Sequence, residues 1–285
     1  AGRVFNETWT FDGRADPPTF ARLTTTGSPP SRYCGCVGYD PRRQVLLMVG
    51  GRTPDVSLPE TWALDLASLA WSRVMAPESP PGVIGCAMAW SEARGALYLF
   101  GGASSAGYVG RTWRFDATAG AWVALEAMGP RARYDAVMKP VEGGRAFVMF
   151  GGSRNAAAAG PFFADVWRFD TMTEEWSEFS VTGSAPEGRR TPWVMFEPGE
   201  RTFVAGFGAH GIQAGENYDD LWRFDLTSRQ WTRVTFAKGA TLPSARGFIQ
   251  ALPGGANTLG WLLGGFDNAS PINDLWRLGV RGGGS

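Results

Sequence analysis

Hydrophobic and polar residues alternate along this chain in short runs, and most runs end at Gly, Pro or Asp. Alternation of this kind is typical of β-strands with one buried face, because successive side chains of a strand point to opposite sides. No segment shows a sustained helical period. The pattern therefore predicts an all-β protein built from many short strands.

One stretch recurs along the chain, and its best copy is the sequence DLWRFD at 220–225. A second Trp follows nine residues after the Trp of this stretch. Successive first Trp residues are separated by 53, 51, 54, 55 and 54 positions. A single period near 50 indicates one array of repeats, in which each repeat buries its faces against its neighbours. The paired positions are Trp62 with Trp71, Trp113 with Trp122, Trp167 with Trp176, and Trp222 with Trp231, and unpaired first positions are Trp9 and Trp276.

Each repeat predicts four strands, which we name a, b, c and d. Strand a follows a Pro-x-x-Arg signal, strand b ends in a Gly-Gly pair, strand c carries Trp-x-Phe-Asp, and strand d carries the second Trp. The Asp after strand c suits a tight turn, since its side chain bonds nearby backbone N–H groups. Two repeats depart from the pattern: Val83 replaces the Arg of the second, and Phe207 splits the glycine pair of the fourth.

The period, the Gly-Gly pair and the paired aromatic residues resemble the kelch repeat, from Trp9 to Trp276. This resemblance implies a kelch-type β-propeller of four-stranded antiparallel blades. The Trp residues are then expected to form the structural core between blades, because each buries roughly 150–250 Å². These core positions are Trp62, Trp71, Trp113, Trp122, Trp167, Trp176, Trp222, Trp231 and Trp276.

The strand count leaves closure open. It gives c and d strands at the N-terminus, four complete repeats, and a last repeat without strand d, so 21 strands where six blades need 24 and five need 20. We favour six blades with one incomplete, since proteins resembling this one are most often six-bladed. In the five-bladed alternative the N-terminal d strand completes the last blade. A single propeller over residues 1–280 is expected, with units 1–28, 29–79, 80–129, 130–185, 186–242 and 243–280, and a linker or tail at 281–285.

Composition removes several classes of partner. The 27 basic and 27 acidic residues cancel, so the chain lacks the positive charge of a nucleic-acid binder. No apolar run reaches the roughly 20 residues of a membrane span. The chain does not begin with Met, so we expect a processed form or part of a larger multidomain chain or assembly. A cytoplasmic location is favoured, while glycosylation triplets at Asn6 and Asn268 keep secretion and a glycan-contacting module as alternatives.

The arginines that precede strand a are the first candidate site: Arg32, Arg133, Arg189 and Arg246. In the kelch resemblance the starts of strand a lie near the central channel, where guanidinium groups could bind carboxylates of a peptide. Val83 interrupts the set. The alternative is that each Arg pairs with a nearby Asp or backbone carbonyl and holds its loop.

The second candidate is a pair of long b–c loops, which follow Gly152 and Gly208. Loops carry function more readily than cores. Phe162, Phe163 and Tyr218 could form an exposed aromatic patch there, or could be tucked inward.

His210 lies in the second of these loops and, with Glu216, Asp219 and Asp220, could coordinate a metal ion. The two Asp residues are better explained as part of the repeat. We therefore expect no metal and no cofactor.

Cys34, Cys36 and Cys86 all fall in strand a of neighbouring repeats. Their spacing fits neither a zinc site nor a disulfide framework. Buried thiols are expected, and a disulfide from Cys86 to one of the others is the alternative.

Together these features predict a non-catalytic interaction module, a scaffold or adaptor that binds a protein partner through the strand a starts and b–c loops. A copper oxidase needs more than the single His of this chain. A metal-assisted enzyme that uses His210 with loop carboxylates is kept as the alternative.

Overall fold

The computed structural model of the chain describes residues 4–154, 160–211, 213, 215–236, 239–254, 258–267 and 269–279. These residues form 23 strands and one short 3-10 turn at Glu142–Gly144. The all-β prediction is confirmed. None of the described helical residues forms a segment long and apolar enough to cross a membrane.

The strands assemble into antiparallel sheets that follow the predicted repeat. Hairpin β1 (Thr8–Asp12) and β2 (Thr19–Leu23) forms a two-stranded sheet. The first four-stranded sheet has β3 (Cys36–Asp40), β4 (Val45–Val49), β5 (Thr61–Asp65) and β6 (Ala70–Val74) in sequence order. The second has β7 (Ala87–Ser91), β8 (Ala96–Phe100), β11 (Thr112–Asp116) and β12 (Ala121–Leu125), and the short pair β9 (Ala103–Ser104) and β10 (Gly107–Tyr108) lies in its b–c loop.

Three further sheets continue the array. They contain β13 (Val137–Val141), β14 (Ala146–Phe150), β15 (Val166–Asp170) and β16 (Glu175–Glu178); then β17 (Trp193–Phe196), β18 (Thr202–Gly206), β19 (Leu221–Asp225) and β20 (Gln230–Arg233); and last β21 (Gln250–Pro253), β22 (Thr258–Phe266) and β23 (Pro271–Gly279). The order in each is a-b-c-d, except that the last sheet ends at strand c.

The described residues thus give five sheets of the blade type, which matches the five-bladed alternative where we had favoured six. The prediction that the last repeat ends at strand c is confirmed within these residues. The N-terminal d strand was expected, in that alternative, to complete the last blade. Instead β2 pairs with β1, from Thr8 opposite Leu23 to Asp12 opposite Thr19.

Contacts divide the chain into two compact units. Unit 1 contains residues 1–134, 140–147 and 169–176, and unit 2 contains residues 135–139, 148–168 and 177–285. Strands β13, β14, β15 and β16 each contribute residues to both units.

The c–d hairpin forms as its sequence predicts. In the first sheet Trp62 lies opposite Arg73, and Leu64 lies opposite Trp71. The Asp65 carboxylate accepts hydrogen bonds from the backbone N–H groups of Ala67 and Ser68, at 3.0 and 2.7 Å. These bonds, that of Ser68 foremost, lower the pKa of Asp65, and equivalent bonds form at Asp116, Asp170 and Asp225.

The glycine pairs allow neighbouring sheets to approach. Gly51 N–H donates to the Val83 carbonyl at 2.9 Å, and Gly102 N–H donates to the Arg133 carbonyl at 2.8 Å. A Cβ at Gly50 would lie 2.0 Å from the Val83 carbonyl oxygen, so no larger side chain fits there. In the fourth copy Phe207 adopts the left-handed backbone, φ 52°, that the first glycine adopts elsewhere, which explains how the split pair keeps the same turn.

The strand d Trp residues fill the space between sheets. In unit 1, Trp122 is buried in a cluster with Leu47, Val49 and Trp113. Its Nε1–H donates to Thr61 Oγ1 of the preceding sheet at 3.1 Å. Four of the expected core Trp residues are buried (Trp113, Trp122, Trp176 and Trp231), and the other five are partly buried.

Candidate functional site

The four arginines before strand a share one geometry. Arg133, Arg189 and Arg246 are among the most completely buried side chains, and the Arg32 side chain is 4% exposed. In each, Nε–H donates to the carbonyl two residues earlier, namely Pro30, Arg131, Glu187 and Ser244, at 3.0–3.2 Å. Each guanidinium therefore folds back beneath its own loop.

Arg32, Arg189 and Arg246 each contact a carboxylate that precedes the strand c Trp by two residues. Arg189 binds both oxygens of Asp220, at 2.5 and 3.2 Å, and the Phe207 carbonyl at 3.0 Å. Burial alone would raise the pKa of Asp220, but the hydrogen bonds and charge of Arg189 lower it below its usual range. The same contact joins Arg246 to Asp274, and Arg32 to Glu60.

The carboxylate also orients the Trp. Asp220 accepts from Trp222 Nε1–H at 2.7 Å, and the equivalent bonds at Trp167 and Trp276 have the same length. The binding role of the four arginines stays a prediction, while their burial favours the alternative that they hold the loops.

The second repeat lacks both members of this pair. Val83 occupies the Arg position, fully buried, and Arg111 occupies the carboxylate position, exposed at the surface and paired with Glu126 at 3.4 Å. A buried carboxylate without its Arg would be costly, so the two replacements fit one another.

In the first long loop, Phe163 is buried. Its N–H donates to the Gly152 carbonyl at 2.9 Å, and its carbonyl accepts from Arg189 N–H at 3.1 Å. Phe162 is partly buried and pairs with Ser153 across the loop. The alternative that the loop aromatics point inward is therefore correct for Phe163. The middle of this loop, residues 155–159, lies outside the described residues.

In the second long loop, Tyr218 connects several side chains of unit 2. Its hydroxyl donates to Glu187 Oε2 at 2.8 Å, the Arg189 guanidinium stacks 4.1 Å from its ring centre, and the His210 ring lies 4.8 Å away. Desolvation, and then the contact with Glu187, raises the pKa of Tyr218. His210 thus packs on an aromatic ring.

Sequence reasoning missed the residues that lie two positions after each of the four Arg residues, or after Val83 in the second repeat. In all five sheets this position has a left-handed backbone, with φ between 49° and 62°, at Cys34, Gly85, Asp135, Thr191 and Phe248. Such strain outside glycine is often associated with functional sites. Phe248, 38% exposed, is a large apolar side chain held at the surface in this way.

Around Phe248 lies what we call the loop surface of unit 2, which consists of Arg190, Thr191, His210, Asn217, Tyr218 and Phe248. Of these residues Arg190 is buried, at 6% exposure. Arg190 lies 5.2 Å from the Phe248 ring centre, and Phe248 N–H donates to Thr191 Oγ1 at 3.0 Å. The side-chain amide of Asn217 is buried with no hydrogen-bond partner among the described residues.

Asp135 contacts this surface through its backbone. Its carbonyl accepts from Thr191 N–H at 2.8 Å. Desolvation raises the pKa of Asp135 to about 7, against the opposing charge of Arg190.

The cysteines correct one expectation. We expected buried thiols, but Cys36 of β3 and Cys86, one residue before β7, form a disulfide with Cα atoms 5.7 Å apart. Cys34 is exposed at the left-handed position. The sequence placed all three in strand a without indicating which two side chains meet.

The remaining candidates from the sequence are the metal site, the two glycosylation triplets and the tail. Within the described ranges no group of three or more His, Cys, Asp or Glu side chains could hold a metal ion. Asn6 is exposed, whereas Asn268 and the tail at 281–285 lie outside the described residues.

Repeated four-stranded sheets with Gly-Gly and Trp at fixed places define the kelch class of β-propeller. Residues 43–257 match the family described as the KLHDC2/KLHL20/DRC7 Kelch-repeats domain, which is three quarters of the chain. The chain belongs to this kelch-repeat family.

Three curated proteins illustrate the similarity of this chain to its relatives. Bovine Kelch domain-containing protein 3 is 25% identical over 61% of this chain and 46% of its own length. Bovine Rab9 effector protein with kelch motifs is 27% identical over 71% and 55%, respectively. The flagellar outer arm dynein alpha chain of Chlamydomonas reinhardtii is 28% identical over 47% of this chain and 3% of its own length. The chain spans about half the length of the first two.

Proposed function

We propose that this protein is a non-catalytic interaction module that binds a segment of a partner protein at the loop surface. The observation that carries the proposal is the exposed Phe248 ring, held at the loop surface by a strained backbone. The Asn217 amide is buried without a partner, which costs stability, and it can pair with a peptide backbone only if binding opens the loop surface around it. The name of one relative, an effector of Rab9, supports a protein as the partner.

The chemistry of the loop surface indicates the kind of segment it would accept. Phe248 and Tyr218 offer aromatic contact, and the Arg190 guanidinium, which is buried and donates to the Gly211 carbonyl at 2.8 Å, places positive charge 5.2 Å from the Phe248 ring centre. Aromatic residues and arginine are the side chains most enriched at energetically important contacts. A partner segment with an apolar side chain next to an acidic one fits these features.

Peptide display on the whole chain would test the proposal. Phe248→Asn removes the ring, while Asn tolerates the left-handed backbone. Asn217→Ala removes the amide and should leave the protein no less stable, because the unsatisfied group disappears with it. Trp9→Ala, at a 54% exposed Trp of β1, is the matched control.

We expect the wild type and the control to select peptides of one pattern, and the two loop-surface variants to lose them by at least about tenfold in affinity, as for a central aromatic contact. Selection of the same peptides by all four proteins would exclude this surface. Loss of binding only together with loss of thermal stability would make Phe248 and Asn217 structural residues.

A further inference from the structure

Three cysteines of unit 1 lie together where the first and second sheets meet. Cys36 of β3 and Cys86, one residue before β7, form the disulfide that joins these sheets. Cys34 precedes Cys36 by two residues, and its backbone carbonyl accepts from Gly85 N–H at 3.2 Å. Cys86 is therefore bonded to Cys36 and adjacent in the chain to a residue that contacts Cys34. We call Cys34, Cys36 and Cys86 the cysteine cluster.

The members of the cluster differ in exposure. Cys36 is buried, at 4% exposure, and Cys86 is partly buried. Cys34 is exposed and is not part of a disulfide. A disulfide is exchanged when a thiolate attacks one of its sulfur atoms, so the rate depends on access to that sulfur. A thiol from solution has little access to the Cys36 sulfur, whereas Cys34 already borders the disulfide.

The backbone of Cys34 favours a movement of this residue. Cys34 has a left-handed backbone, φ 55°, which costs energy for any residue other than Gly. The next residue is Gly35, and glycine accepts backbone conformations that other residues avoid. A rotation that takes Cys34 out of its left-handed conformation therefore releases strain, and Gly35 can take up the change.

The hydrogen bond at the disulfide favours Cys36 as the sulfur that leaves. Cys86 N–H donates to Cys36 Sγ at 2.9 Å. A hydrogen bond to the charged form of a group favours that form, so this N–H stabilises the thiolate that Cys36 becomes when the disulfide breaks. Since a more stable thiolate leaves faster, attack on the Cys86 sulfur is the favoured direction.

We propose that the cysteine cluster is a thiol–disulfide exchange site that takes up a low-molecular-weight thiol on Cys34. In the first step the Cys34 thiolate attacks Cys86 Sγ, a Cys34–Cys86 disulfide forms, and Cys36 leaves as a thiolate. In the second step the thiolate of the small molecule attacks the exposed Cys34 sulfur, and Cys86 leaves as a thiolate. Each leaving thiolate takes up the proton that its attacker lost. The product has a mixed disulfide on Cys34 and two reduced cysteines, so no external oxidant is consumed.

The test uses the whole chain and one equivalent of reduced glutathione, without oxygen and without glutathione disulfide. Acid stops the reaction, N-ethylmaleimide blocks the remaining thiols, and tryptic peptides are fragmented in a mass spectrometer. Residues 33–42 form one peptide with Cys34 and Cys36, and residues 74–94 form another with Cys86. The fragments show which sulfur carries glutathione. Because the protein disulfide is the only oxidant present, glutathione on Cys34 has to come from exchange.

We expect glutathione on Cys34 at early times, with Cys36 and Cys86 blocked by maleimide. Cys34→Ser, the matched control, should lose this adduct. Its disulfide should also be reduced at least about tenfold more slowly, since an internal thiol acts at a high effective concentration. Absence of glutathione from Cys34 at every time point, or equal rates of reduction in the two proteins, overturns the inference.

Cys36→Ser tests the first step by itself. In this variant Cys34 and Cys86 should form a disulfide in a glutathione redox buffer, while the Trp fluorescence stays that of the folded protein. A folded variant in which both thiols react with maleimide would contradict the first step. If the variant does not fold, the comparison of the wild type with Cys34→Ser decides.

This exchange site lies in unit 1 and does not rest on the proposed function. Phe248→Asn, at the loop surface of unit 2, should exchange as the wild type does. Failure of the exchange would leave peptide selection at the loop surface untouched.

Discussion

The second sheet of unit 1 and the last sheet of unit 2 share one pattern but differ at their outer strand. In the second sheet, β12 brings Trp122 into a cluster that contains Leu47 and Val49. In the last sheet the corresponding cluster, with Trp193, Leu221 and Leu262, has Trp276 beside it but no strand d Trp among the described residues. The difference shows that strand d contributes a large apolar side chain to the contact between neighbouring sheets, besides closing its own sheet.

The largest expected effect comes from removing that side chain where it is present. Trp122→Ala should lower the free energy of unfolding by about 3–5 kcal/mol, because it loses buried area and leaves a cavity. Denaturant titration measures the change. Trp9→Ala, at an exposed Trp, should cost under about 1 kcal/mol. Equal losses at the two positions would contradict the contrast.

The buried arginine should stabilise both the fourth sheet, which has strand d, and the last sheet, whose described residues end at strand c. Arg246→Ala leaves the Asp274 carboxylate without its partner, and Arg189→Ala does the same to Asp220. Removing one member of a buried pair costs about 3 kcal/mol or more. Asp274 is more exposed than Asp220, so the loss should be smaller at Arg246. Thermal unfolding of both variants would show the order, and a reversed order would argue against it.

The position two residues after the Arg also differs between sheets, and Asp135 makes it sensitive to pH. Its folded pKa of about 7 lies above the unfolded value near 4, so the folded state holds the extra proton between these values. This stabilising contribution is complete below pH 4 and is lost as pH rises through 7. The free energy of unfolding of the wild type should therefore fall by about 2 kcal/mol more between pH 5 and pH 8 than that of Asp135→Asn. Parallel curves of stability against pH for the two proteins would refute this.

The smallest effect concerns the hydroxyl that receives Trp122. Thr61→Val should cost about 1 kcal/mol, since Trp122 Nε1–H loses its acceptor in a buried place. Leu221 is the natural apolar residue at the same repeat position of the fourth sheet. If Thr61→Val changes the free energy of unfolding by less than the error of the denaturant titration, this hydrogen bond does not contribute to stability.

Local chemistry carried most of the fold prediction. The turn Asp, the Trp spacing and the glycine pairs act over a few residues, so each could be derived from the sequence, down to Asp65 and its two N–H donors. Six blades were favoured from resemblance, whereas β2 pairs with β1 and five blade sheets form. Pairing of strands distant in sequence depends on contacts that a local pattern does not contain.

The candidate site was harder to derive. The arginines were found, but whether a guanidinium turns outward or inward depends on a carboxylate about 30 residues away, such as Asp220 for Arg189. Phe248 and Asn217 were missed, because the sequence around them resembles any loop. The left-handed backbone two residues after each Arg was the available signal, and only the Gly at one of the five positions hints at it.

In the second repeat Val83 and Arg111 replace both members of the buried Arg–carboxylate pair, and this affects which substitutions the repeat can tolerate. In the other repeats, replacing only the Arg or only the carboxylate would leave an unpaired charge in the interior. Each of these single changes is therefore destabilising. A repeat that has lost both is released from this constraint, and its surface residue Arg111 now pairs with Glu126. In the second blade the residues at positions 83 and 111 are therefore not tied to each other by a buried ion pair, whereas its b–c loop stays bonded to the next repeat through the Val109 carbonyl and Arg133 N–H.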